Sequence, residues 1–217
     1  VSSQVSSTAH AVWTDFGGVL TPPLGHTFGK FCTTMKLDPE ALMAALGKVT
    51  ARYGTEDFML PIDTPLVSEA EWLREIGEVL AAEHGYTAEL TTLADIWFDG
   101  RETNHEWLDR LDGLRAAGTF VGMLSNMPPA WDAHWRRMVD PDEHFDAVLL
   151  SFEVGHRKPS AGMFELAAAR AGVPAERCVL IDDLAHNIAG AREAGWQAVQ
   201  FTDAAAAGDE LEKLLAG

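Results

Sequence analysis

Four distant stretches of the 217-residue chain carry residues whose types could do chemistry together. They are Asp15 in VWTDFGG, Ser125 and Asn126 in MLSNMP, Lys158 in GHRKPS, and the adjacent Asp182 and Asp183 in VLIDDL. A carboxylate at the end of a buried apolar run is costly unless something there uses it. Three carboxylates gathered in one place repel one another and raise each other's pKa, unless a cation sits among them. Oxygen ligands without a histidine cluster favour a hard ion such as Mg²⁺. Lys158 adds a fixed positive charge, and Ser125 with its neighbouring backbone N–H groups offers donors to an anion. That set suits phosphoryl transfer, where electrostatic stabilisation dominates. Gly17 and Gly18 follow one residue after Asp15, and glycine lets backbone N–H groups come close to an anion.

Such residues work only if the fold brings them together. Five short apolar runs read as strands: 11–14, 119–124, 146–150, 177–181 and 196–201. Between the last four lie helical patterns, among them 160–172 with Ser160 as N-cap and 184–195 ending at a glycine. Strands alternating with helices imply an α/β fold with a doubly wound parallel sheet covered on both faces. Ligands then bind at the carboxyl ends of the strands, where the chemical residues fall.

The interval 25–103 breaks this rhythm with helical candidates near 38–53, 68–84 and 88–99 and an irregular connection at 55–65. It reads as a helical insertion after the first strand, giving a core of 1–24 and 104–217. Trp72, Trp97 and Trp107 are expected to pack that insertion. Trp131 and Trp135 share a helical face just after Ser125.

A formal charge of −17 leaves no basic stripe for nucleic acid and argues against an anionic membrane surface. With 47% hydrophobic residues the chain can bury a proper core. Cys32 and Cys178 have no metal-ligand spacing, and Cys178 reads as a packed thiol. No basic leader or membrane-length apolar run is visible, so a cytoplasmic protein, monomer or homodimer, is expected.

Taken in order, DFGGVLT, LSN, GHRKPSAGMF and LIDDLAHN resemble the four motifs of the haloacid dehalogenase superfamily. The resemblance covers about two thirds of the chain and is closest to the branch with sugar-phosphate phosphatases and the phosphatase domain of soluble epoxide hydrolases. It implies a Rossmann-like core with an inserted α-helical cap. It further implies a Mg²⁺-dependent phosphatase of a small phosphorylated metabolite, in which Asp15 is the nucleophile forming an aspartyl phosphate. Ser125 would bind the phosphoryl group with Asn126 beside it, and Lys158 would balance the charge. Asp183 would ligate the metal directly, with the backbone carbonyl of Gly17. Asp182 would support it directly or through water or Lys158, and Asn187 would fix the loop.

One departure stands out. Most phosphatases of the superfamily place a second aspartate two residues after the nucleophile, as the acid that protonates the leaving group; here that residue is Gly17. Either the leaving group departs unprotonated, another group such as His26 supplies the proton, the reaction is a dehalogenation or phosphonate cleavage, or the protein binds phosphate ligands without turnover. The Asp182–Asp183 pair counts against metal-independent 2-haloacid dehalogenation, whose enzymes lack such a pair. The other histidines read as surface or structural residues.

Overall fold

The computed structural model describes residues 10–90 and 92–216, so the reading of the N-terminal leader falls largely outside them. The chain begins β1 (Ala11–Thr14), α1 (Leu24–Met35), α2 (Pro39–Arg52), α3 (Leu60–Asp63), α4 (Glu69–His84), α5 (Leu93–Phe98) and α6 (His105–Ala116). It continues β2 (Phe120–Ser125), α7 (Asp132–Met138), α8 (Pro141–His144), β3 (Ala147–Leu150), α9 (Ser151–Val154) and α10 (Ala161–Ala171). Last come β4 (Cys178–Asp182), α11 (Ala185–Glu193), β5 (Gln197–Gln200) and α12 (Ala204–Ala216). No helix among the described residues is long and apolar enough to cross a membrane.

The five strands form one parallel sheet in the order β3-β2-β1-β4-β5, the α/β arrangement expected from the alternating pattern. Each expected strand falls within a residue or so of the observed one. β1 and β4 are buried along their whole length, which is why they read as continuous apolar runs rather than alternating ones. Thr14 is in register with Met123 of β2 and Ile181 of β4, so β1 lies between the two strands that end in Ser125 and Asp182. The crevice where strand order reverses, between β1 and β4, is where such sheets place ligands.

By contacts the described residues divide into two compact units. The α/β unit comprises the chain to Pro23, Glu102–Asn126 and Met138 onward. Under one face of its sheet Trp13, Leu124, Met163, Phe164, Leu180 and Ile188 form a continuous apolar core. Ser160 precedes α10 but its hydroxyl makes no capping hydrogen bond, so the helix starts without that help. Trp107 belongs to this unit and not to the helical one: from α6 its indole N–H donates to Thr14 Oγ1 at 3.1 Å. Helical periodicity identifies a buried face without saying what it is buried against.

The helical unit comprises Leu24–Arg101 and Met127–Arg137. Its helices are capped by sequence: Asp38, Ser68 and Thr92 each accept a hydrogen bond from the third residue beyond, at Ala41, Glu71 and Asp95. α2 packs along α4 through Leu42, Ala45, Leu46 and Val49 on one side and Leu73, Ile76 and Leu80 on the other, all buried. Helix α1 has no counterpart among the sequence expectations. LGHTFGKFCTTM carries two glycines and three threonines, which weaken its propensity, so packing of Phe31 and Cys32 holds it.

Candidate active site

Asp15 is the first residue past β1, and its backbone N–H still donates to Ile181 O at 2.9 Å. The sheet therefore fixes the main chain up to the residue of interest. Beyond it the chain turns sharply: Leu20 N and Thr21 N both donate to Phe16 O, at 3.0 and 3.1 Å. Asp15 is 7% exposed, and its Oδ1 accepts from Phe16 N at 2.7 Å. Lys158 Nζ lies 3.0 Å from the same oxygen.

Lys158 is wholly buried, and its ammonium also donates to Asp182 Oδ2 at 2.5 Å. Its main chain is gripped by Asn126, whose Nδ2 donates to Lys158 O at 2.9 Å while its Oδ1 accepts from Lys158 N at 2.8 Å. The Asn126 side chain is thus spent on positioning Lys158. Asp182 is equally constrained: Oδ1 accepts from Leu184 N at 2.9 Å, and Asn187 Nδ2 donates to both carboxylate oxygens at 3.0 and 3.1 Å. Asn187 fixes this loop by holding an acid.

Asp183 differs from its neighbour. It is half-buried, and its Oδ1 is hidden from water without a hydrogen-bond partner. One carboxylate oxygen from each of Asp15, Asp182 and Asp183 lies within 4.8 Å of the others. Burial, with Asp182 adding to it and Lys158 opposing it, pushes the Asp15 carboxyl up to about 7. Burial and then Asp182 push Asp183 up to about 6. Burial works against the charge on Lys158, yet Asp15 and Asp182 outweigh it and hold its pKa above the usual lysine range. When all four groups ionise, three carboxylates and one ammonium leave a formal charge of −2. The high carboxyl pKa values come first from burial, and the neighbouring acids add to it. An oxygen-only donor set, an orphaned carboxylate oxygen and a charge of −2 fit a hard divalent cation such as Mg²⁺.

The two glycines of the turn play unlike parts. Gly18 has φ of +83°, and a Cβ built there would lie 2.1 Å from Asp183 Oδ2, so the bare backbone is what admits the Asp183 carboxylate. A Cβ at Gly17 would meet nothing within 4 Å. Ser125, 3% exposed, ends β2 beside β1. His26 lies exposed on α1 of the helical unit.

Sequence reasoning passes over Asn104. Its Nδ2 donates to Val19 O at 3.0 Å, its backbone N–H donates to Leu20 O at 2.7 Å, and its Oδ1 caps α6 by accepting from Trp107 N. One side chain therefore ties the turn after Asp15 to a helix of the sheet layer. Asparagine before a periodic run signals a helix start, but nothing in the sequence says that it also holds a second loop.

The sequence profile of the haloacid dehalogenase-like hydrolases matches residues 9–195. The chain belongs to that family. The phosphoglycolate phosphatase of Salmonella paratyphi A is 29% identical to this haloacid dehalogenase-like hydrolase over 94 residues, 43% of the chain and 37% of that relative. The match thus spans little more than a third of the relative's length. A haloacid dehalogenase family enzyme from Bacteroides thetaiotaomicron, solved with magnesium and inorganic phosphate, superposes with a TM-score of 0.65 at 20% identity, covering 89% of this chain and 94% of that one. An L-2-haloacid dehalogenase superposes with a TM-score of 0.63 at 19% identity, covering 89% and 86%. At these identities the two structures share the fold, and the fold alone does not choose between their chemistries.

Proposed function

We propose that this hydrolase is a Mg²⁺-dependent phosphatase of a small phosphorylated metabolite, working through an aspartyl phosphate on Asp15. The observation that carries the reading is the convergence of Asp15, Asp182 and Asp183 on one point, with the Lys158 ammonium buried between two of them. Three acids around one lysine are more than a buried ion pair needs and suit a site that takes a divalent cation. The match to a phosphoglycolate phosphatase supports phosphate-ester hydrolysis.

Asp15, Asp183 and the Gly17 carbonyl would hold the metal, with Asp182 behind them. Bound Mg²⁺ would supply positive charge that offsets the phosphate and carboxylate charges. Lys158 draws Asp15 Oδ1 to one side, which leaves Oδ2 to attack phosphorus. The new bond is Oδ2–P, the bond to the leaving oxygen breaks, and its electron pair departs with the leaving group. Ser125, the backbone N–H of Asn126 and the bare turn at Gly18 would donate to the phosphoryl oxygens. Water then attacks phosphorus, the P–Oδ2 bond breaks, and inorganic phosphate and the free carboxylate are restored.

Gly17 supplies no proton, and the proposed leaving group is one that departs as a stable anion. Acyl and anomeric phosphates, and activated aryl esters, meet that condition better than simple alkyl phosphates. Phosphate release should be followed across such a series with Mg²⁺ or with EDTA. The expected result is Mg²⁺-dependent turnover that falls steeply as leaving-group pKa rises, and that drops by roughly 10⁴-fold or more in Asp15→Asn. Equal turnover in EDTA, or an active Asp15→Asn variant, would overturn the reading. Halide release from 2-haloacids in EDTA would instead assign dehalogenation.

A further inference from the structure

Within the helical unit lies an apolar pocket of about 230 Å³, open to solvent on one side, that the proposed phosphoryl chemistry does not use. Helices α1, α2, α4 and α5 and the connection at 58–59 line it, and none of the lining residues carries a charged side chain. Phe28, Phe31, Trp72 and Trp97 make its wall strongly aromatic. Leu24 and Met43, among its lining residues, are 45% and 41% exposed, so large apolar side chains also face water there. Trp72 is itself 3% exposed, and its indole N–H is buried without a hydrogen-bond partner.

Protein interiors are close-packed, so a space of this size left empty forfeits contacts along its whole lining. Water is a poor tenant, because it needs two to four polar partners and this wall does not provide them. An apolar cavity of roughly 150 Å³ stays dry and accepts benzene. The pocket here is larger than that enclosed example and opens to solvent, so a small molecule can enter it without unfolding the helices. We infer that the helical unit binds one small uncharged aromatic or hydrocarbon group of roughly six to ten non-hydrogen atoms. The inference goes beyond the phosphatase reading and does not depend on it.

Calorimetric titration of the full chain with toluene and with indole tests it, with benzoate as a charged comparison. Saturable binding of one toluene or one indole per chain is expected, with benzoate at least tenfold weaker. Gly25→Leu fills the cavity from α1, where an added Cβ meets nothing within 4 Å. Met43→Glu adds a carboxylate to the lining from α2. Each should weaken toluene binding about tenfold or more while the far-ultraviolet circular dichroism stays native. Asp15→Asn should bind toluene unchanged, so loss of the phosphatase reading would leave this one standing. Absence of saturable binding by both probes, benzoate binding as tight as toluene, or unchanged affinity in both cavity variants would overturn the inference.

Discussion

At the carboxyl edge of the sheet, three charged side chains are packed nearly out of water beside the half-buried Asp183, and most of their polar atoms are held by named partners. In the helical unit, several helices leave between them a pocket walled by aromatic and aliphatic carbon. The first region is specified by geometry: Asn126 grips the Lys158 main chain, and Asn187 and Leu184 N pin Asp182. The second is specified by volume and polarity alone. A charged cluster loses its energy steeply with small displacements and with the loss of one partner. An apolar cavity loses it gradually with area. The two regions should therefore answer substitution very differently.

The largest expected effect comes from the glycine with free space in the turn after Asp15. Gly17 has room for a side chain, and an acid there would stand where most phosphatases of the superfamily place theirs. Gly17→Asp should raise turnover of alkyl phosphates by roughly 10²–10⁴-fold, the usual contribution of a positioned acid. Little change is expected for substrates whose leaving group needs no proton. A uniform gain across the leaving-group series would mean that the edge lacks something other than an acid.

Next is the lysine. Lys158→Met removes the ammonium held among three buried or half-buried acids, and breaking a buried pair this way costs about 3–5 kcal/mol. Met43→Ala in the helical unit, on a side chain 41% exposed, should cost less than about 1 kcal/mol. Urea unfolding of both variants measures the ratio. Mg²⁺ should not rescue Lys158→Met fully, because the ammonium also orients Asp15 and Asp182.

Glycine offers a matched test of smaller size. Gly18→Ala forces an L side chain to φ of +83° and into the Asp183 carboxylate, so about 1–3 kcal/mol of stability should be lost. Mg²⁺ affinity should fall by roughly 10–100-fold as Asp183 is displaced. Gly29→Ala lies within α1, where the added methyl meets nothing, and should stabilise the fold by about 0.5–1 kcal/mol. Thermal melts and Mg²⁺ titrations of the pair would separate backbone propensity from site geometry. Equal effects at the two positions would erase the contrast.

The same contrast governs what the order of amino acids makes legible by itself. The sheet edge is legible because an apolar run ending in a carboxylate is unusual, and parallel-sheet logic carries such ends to one place. Lys158 is legible only as a member of that set; alone, ahead of a proline, it reads as a surface residue. Asn104 and the Asn126 side chain are not legible as positioning groups, because their partners are main-chain atoms that no sequence pattern marks. In the helical unit the caps at Asp38, Ser68 and Thr92 are local and readable. Helix α1 is not, since its glycines and threonines mask a helix that only packing stabilises. Trp107 reads into the wrong unit for the related reason that amphipathicity records burial and not the neighbour. A cavity is the extreme case, being a property of what several helices fail to fill.

A pH dependence of stability without metal bears most directly on the buried charge at the edge. Asp183 is raised from an ordinary carboxyl value to about 6, and Asp15 to about 7. A carboxyl with a raised folded pKa holds its proton more tightly in the folded state than in the unfolded one. Between about pH 4 and 7 the folded chain therefore binds the extra protons, and stability contributed by these groups falls as pH rises through that window. In EDTA the melting temperature should decline by roughly ten degrees or more from about pH 4.5 to about pH 7.5 through this contribution. The same difference should shrink in Asp183→Asn, which cancels contributions from surface carboxylates common to both proteins. Mg²⁺ favours the ionised acids, so its stabilisation should grow across the same interval and reverse the slope. Such a slope has no source in the apolar cavity, and filling that space with Gly25→Leu should leave it unmoved. A flat difference between the wild-type chain and Asp183→Asn would mean that Asp183 titrates as an ordinary surface acid, and the buried charge that separates the two regions would be gone.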